Sequence, residues 1–334
     1  MHAATLLSPP RSLPCASRSP RRLAVSLSLA LSLSWGCGLH EQDSRGLPQS
    51  DPPESAGLLD DAGRDFMINK PQIKSIWGSS DKDVWAVGDD GMMLHYDGAI
   101  WGRVPVPSGS DLLAVWGASD KDIWAVGDAG VVIHWDGTLW SRVTTPVPDS
   151  AALNDIWGTS GNNIWAVGDR GALIQFNGSA WGAHHLPIIN NLLTVWTPST
   201  TDGWIGGDVG LLLRWNGTTW TGVQSGNSTA FVHIRGTAAN KVYAAKQNHE
   251  VLTFDGSKWA KLGAAGIFGL RLWMTADNDV WVYRASSAHH LTTAWTSFSF
   301  SYDLTALWSA SPTSAWAVTS QDISRYTGTW SLNW

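Results

Sequence analysis

Thiols are nearly absent from this chain: of 334 residues only Cys15 and Cys37 are cysteine. That excludes a disulfide framework and a thiolate metal site from everything after residue 37. Charge is sparse too. Asp, Glu, Lys and Arg make up 15% of the residues, and the formal net charge is −6. Residues 1–36 carry four arginines and no acid, so the remainder stands near −10. An acidic body without a basic stripe excludes a nucleic-acid groove and direct docking on anionic lipid. After residue 33 no apolar run is long enough to cross a bilayer as a helix.

The residue in excess is tryptophan, with 23 copies. They follow a repeat. Residues 76–104 read IWGSSDKDVWAVGDDGMMLHYDGAIWGRV and residues 115–143 read VWGASDKDIWAVGDAGVVIHWDGTLWSRV. The frame returns at 156–184 and 195–223, then more weakly at 234–262, 272–298 and 307–332. One aromatic column opens the copies: Trp77, Trp116, Trp157, Trp196, Trp273 and Trp308, with Arg235 in the fifth place. A second lies eight residues on, at Trp85, Trp124, Trp165, Trp204, Tyr243, Trp281 and Trp316. A third closes each copy, at Trp101, Trp140, Trp181, Trp220, Trp259, Trp295 and Trp330. A period near 40 residues with strand-like content signals a stacked or radial β array.

Each copy reads as four short strands. In the second copy they are Ala114–Gly117, Asp122–Val126, Val131–Trp135 and Trp140–Val143, all alternating β-branched or aromatic residues between turn clusters. Asp-Gly or Asn-Gly, as at Asp97-Gly98 and Asn177-Gly178, separates strands three and four and suits a type I′ hairpin turn. Gly-Asp-x-Gly separates strands two and three, with its second glycine free to turn left-handed and its aspartate free to brace the turn. Seven antiparallel four-stranded units predict an all-β, seven-bladed β-propeller over 72–334, in which each blade covers its neighbour. A parallel β-helix is the alternative, but it has shorter rungs and no antiparallel hairpins.

The leader differs in kind. Arg18, Arg21 and Arg22 precede the short apolar run Leu23–Leu33, and Ser34-Trp35-Gly36 precede Cys37. Residues 1–36 are therefore read as a signal segment of bacterial lipoprotein type, with Cys37 the lipidated residue. Residues 37–71, rich in Asp, Ser, Pro and Gly, are read as a flexible tether. The expected location is the outer membrane, periplasmic or surface-facing, with membrane contact only through the lipid anchor.

The phrase W-A-V-G-D-x-G followed by D-G-x-x-W resembles the repeats of bacterial exported propellers and of the seven-bladed photosystem II assembly factors. It is also similar, more loosely, to the Asp-box (BNR-type) repeats of sialidase-like propellers. The resemblance covers 72–334 and implies the fold. An Asp-box places Ser or Thr two residues before its Asp and a spacer before its Gly, whereas here Gly98 follows Asp97 directly. The assembly factors meet their partner through a basic patch, and this chain is acidic. No functional residue carries over.

Catalytic constellations are not evident. The arginines Arg103, Arg142, Arg170, Arg214, Arg235, Arg271, Arg284 and Arg325 fall in different columns and predict no convergence on the axis. The pairs His184-His185 and His289-His290 would point to opposite faces of a strand and chelate poorly. His95 and His134 share a column with Gln175, Arg214 and Thr253, which reads as a polar, less buried face. One turn aspartate per blade cannot supply the roughly six to eight oxygens that calcium takes. No cofactor, metal or catalytic residue is therefore expected.

The function expected is non-enzymatic binding or scaffolding by a monomer in the cell envelope. The partner would be an envelope protein or an extracellular ligand, with polysaccharide as the lectin-like alternative and a sialidase-like hydrolase as a further one. Loops 105–112, 144–153, 185–193 and 224–232 should share one face with the turn tips Asp90, Ala129, Arg170 and Val209. Candidate ligand contacts are Asp90 and Arg170 on that face, with Trp77, Trp116, Trp157, Trp196, Trp273 and Trp308 facing the channel.

Overall fold

The computed structural model describes residues 71–264 and 266–333. The expected signal segment, Cys37 and nearly all of the expected tether lie outside them. Seven four-stranded antiparallel sheets follow one another along the chain, and within each the strands keep chain order. The second blade shows the pattern: Leu112–Ser119, Asp122–Gly127, Val132–Trp135 and Trp140–Arg142. The first strand is longer than its Ala114–Gly117 motif because register shifts at both ends let it continue past the regular pairing.

The eight-residue aromatic spacing is a hairpin register. Trp77 pairs opposite Trp85, Trp116 opposite Trp124 and Trp308 opposite Trp316. The second strand is buried on both faces: Ile123, Trp124, Ala125 and Val126 are all 3% exposed or less, since each sheet is sandwiched between two others. The fourth strand buries its opening Trp140 and exposes the next two residues, as an outer edge should.

Tryptophans carry the contact between blades. The second-column ring of one blade meets the third-column ring of the next edge-on: Trp85 with Trp140, Trp124 with Trp181 and Trp165 with Trp220, at centroid separations of 5.5, 5.5 and 5.4 Å. The strand-three aromatic of that next blade flanks the same ring, as Trp135 does Trp85 and Phe176 does Trp124. Such pairs each add about 0.5–1.5 kcal/mol beyond the area they bury.

The first strands form the inner ring, and that of the seventh blade, Leu304–Ser311, packs on that of the first, Ile73–Ser80. The seventh blade draws all four strands from Leu304 to Leu332, so the ring closes by side chains rather than by strand exchange. Trp316 meets Tyr96 and Trp101 across this seam, and Arg325 bonds Asp81 at 2.9 Å.

Candidate functional site

The turn tips and the connecting loops share one face. At each tip of blades one to four the chain forms a tight turn with two successive left-handed residues: Asp90-Gly91, Ala129-Gly130, Arg170-Gly171 and Val209-Gly210. The sequence had required only the glycine to turn that way. The loops that lead into the next blade hold the tips in place. Asp111 Oδ1 accepts the Asp90 amide at 2.9 Å, and Asn191 Oδ1 accepts that of Arg170 at 3.0 Å. Asp90 and Arg170 are both exposed there. The motif aspartates brace the inner strand rather than their own turn: Asp89 takes the Gln72 amide and pairs with Lys74, and Asp169 takes the Asn154 amide side chain.

Exposed apolar side chains stand out of this face, foremost Ile189 at 88% and Val209 at 67%, with Phe268 and Tyr302 in the loops leading into blades six and seven. Val209 holds φ at 55°, a conformation that β-branched residues avoid. It lines an open cleft of about 550 Å³ between blades four and five, with Asp208, Thr229, Gln247 and Asn248. A second groove, about 230 Å³, runs along blades two and three between Pro146, Val147, Ile188 and His184.

The axis is closed, for a reason written in one column. Trp77 packs on Gly117 of the next blade, where an added Cβ would lie 2.5 Å from its ring. Trp116 packs likewise on Gly158, Trp196 on Gly236 and Trp308 on Gly78, and these four tryptophans are buried. The equivalent glycine is Thr197 ahead of Trp157, Met274 ahead of Arg235 and Ser309 ahead of Trp273. Those three side chains are denied the niche and fill the axis. Trp157 and Trp273 are only half-buried and meet each other at 6.1 Å. Their indole N–H groups donate to the carbonyls of Thr197 and Ser309, the residues that displaced them. Arg235 crosses to Asp155 of blade three at 3.2 Å and stacks on Trp157 at 4.7 Å.

Two of the arginines therefore do converge on the axis, against the sequence expectation. Arg235 and Arg271 line one small cavity with His233, Tyr283, Asp155 and Lys74. Spacing missed this because Arg271 stands two residues ahead of the tryptophan column, at the first position of the inner strand Arg271–Ala276. Burial, together with Arg235 and Arg271, holds the His233 imidazole well below its usual range. Burial raises the Tyr283 phenol.

The histidine column is the less buried position of strand three in blades one and two, as read from the sequence, but its side chains are ordered rather than free in solvent. His95 stacks on Trp85 at 4.0 Å and bonds Asp83 at 2.6 Å; His134 stacks on Trp124 at 3.9 Å and bonds Asp122 at 2.8 Å. His290 lies flat on Trp281 at 3.7 Å and bonds Asp279, with both residues buried. Asp279 also takes Thr275, the Trp281 indole and Ser309 of the next blade. Burial pushes its carboxyl up, but the bonds from His290, Thr275 and Ser309 outweigh that and leave it below its ordinary value. The paired exchange Asn163–Gln175 and Asp202–Arg214 was the readable signal, since both columns change together.

No family model matches the chain, and no curated protein sequence matches it. Solved structures do. The fold is similar to that of YCF48. A structure of YCF48 bound to D1 peptide superposes with a TM-score of 0.62 at 16% identity, covering 78% of this chain and 94% of its own. YCF48 from Cyanidioschyzon merolae gives 0.60 at 14%, covering 78% and 96%. The WD40 β-propeller domain of Doa1 gives 0.65 at 9%, covering 78% and 93%. At these identities the likeness to YCF48 and to WD40 propellers is one of fold.

Proposed function

We propose that this protein is a non-enzymatic binding module of the bacterial envelope, exported and tethered through lipid on Cys37, that presents its loop face to a protein partner. The observation that carries the reading is the contrast between the two candidate surfaces. The loop face exposes Ile189 and Val209 beside an open cleft, whereas the axis is filled by Trp157, Arg235 and Trp273. The peptide bound by YCF48, a propeller of similar fold, lends support.

Two features weigh against the rival readings. A lectin would need exposed rings, and four of the six first-column tryptophans are buried between blades. A sialidase-like hydrolase would need a free carboxylate and an activated tyrosine. Asp155 is neutralised by Arg235, and burial raises the Tyr283 phenol, which makes it a poor nucleophile at neutral pH.

The test is capture from native envelopes by the chain immobilised through residue 38, with and without polysaccharide-degrading enzymes. A discrete protein retained after glycan digestion is the expected result. Recovery that vanishes with the glycans would overturn the reading in favour of a lectin.

A further inference from the structure

The axial cavity opens where the inner strands begin, at Lys74, His233 and Arg271, on the loop-bearing side. It measures about 40 Å³, room for a few waters or a carboxylate head and too little for a sugar ring. Its lining is unbalanced. Asp155 is the carboxylate in it, and that group is saturated: Oδ2 accepts from Thr194, the Val195 amide and Arg235, and Oδ1 from the Ile156 amide and Arg235. Lys74 is paired with Asp89.

The remaining groups bring hydrogen-bond donors to the cavity: Arg271, itself exposed, at the mouth, and Arg235, His233 and Tyr283 beneath it. Among the described residues Arg271 has no carboxylate within ion-pair reach, although its guanidinium acts on both His233 and Tyr283. The Arg235 Nε–H is buried and has no partner. His233 Nδ1 accepts the Leu272 amide at 3.2 Å, which places the proton of the neutral ring on Nε2. Tyr283 accepts the Leu307 amide through its hydroxyl oxygen at 3.1 Å and keeps its own proton to give. A buried donor without a partner is unfavourable, and Arg235 and Tyr283 each bring one to this cavity, which calls for an acceptor.

We propose that this cavity is an anion site that takes a single carboxylate, held by Arg271 and Tyr283 with Arg235 and His233 beneath. The bonds to a charged acceptor would be the strong, charge-assisted kind. This deepens the loop-face reading, because the mouth lies on that face and a partner would present the carboxylate there. It remains separable from it, since the cavity is tested with small probes and the face with rim variants.

The experiment is calorimetric titration of the folded protein with acetate, with tetraalanine bearing a free C-terminus, and with its C-terminal amide. Saturable binding of the free-carboxylate peptide, weakened about tenfold or more by amidation and by Arg271→Gln, is expected. Tyr283→Phe should weaken it by several-fold, and Lys258→Gln, in the opposite-face hairpin, should leave it unchanged. Acetate binding as tightly as the peptide would assign the site to free small acids, and tighter peptide binding would assign it to a chain terminus. Arg271 is exposed, so its variant should keep the far-ultraviolet spectrum of the parent. Absence of saturable binding by either carboxylate probe, or equal binding by Arg271→Gln, would overturn the proposal.

Discussion

A single atom decides where each inner-ring tryptophan goes. Gly117→Ala places a Cβ within 3 Å of the Trp77 ring, and overpacking of that kind costs about 1–3 kcal/mol, read as a lower urea midpoint. Asp279→Ala should cost about 3 kcal/mol or more, because it strands His290, Thr275, Ser309 and the Trp281 indole in a buried site. The half-exposed Asp122, holding His134 and Trp124, should matter less when replaced. Acid acts on the turn residues as well. Asp136 and Asp255 are each held at about 2 by hydrogen bonds in their own turns, from Thr138 and Leu139 in the first and from Lys258 and Ser257 in the second. Both values lie below the ordinary 3.8, so the stability they add is complete above about pH 4 and is lost as pH falls toward 2. Unfolding free energy should therefore decline over that window, and the double variant to Asn should decline less.

The strands were legible because alternation and turn residues both marked them, and the eight-residue aromatic spacing became the hairpin register. The turns were legible in position and not in type. Gly98 takes φ of 95° as expected, but Asp97 is not left-handed, so this is no type I′ turn. The Asp97 carboxylate instead accepts the amides of Ala99 and Ile100 and supports a longer connection. The axial plug was readable in principle, from Thr197, Met274 and Ser309 in the glycine column, but only once the handedness of the ring tells which blade covers which. Convergence of Arg235 and Arg271 needed the ring itself. At the tip of blade four, Val209→Asn should raise stability by about 1 kcal/mol, since Asn tolerates the left-handed conformation that Val pays to hold. A urea melt that places the variant below the parent would show that Val209 makes contacts outweighing its strain.

One second-to-third-column ring contact recurs at six of the blade interfaces, the seam among them. Trp316 between Tyr96 and Trp101 repeats Trp165 between Trp215 and Trp220. Trp316→Ala and Trp165→Ala should therefore destabilise by similar amounts, about 3–5 kcal/mol each. A much smaller loss for Trp316 would mean that the seam is held otherwise. The proposed function sets the two faces of the propeller apart. The hairpins of strands three and four expose Ile100 and Leu139, whereas the opposite face exposes Ile189, Val209, Phe268 and Tyr302 and carries the left-handed tips and the open cleft beside Val209. The most direct test of this division compares partner retention by the parent chain, by Ile189→Asp with Val209→Asp, and by Ile100→Asp with Leu139→Asp. Loss of retention only in the Ile189 and Val209 variant is the predicted result. Loss only in the Ile100 and Leu139 variant would contradict the account.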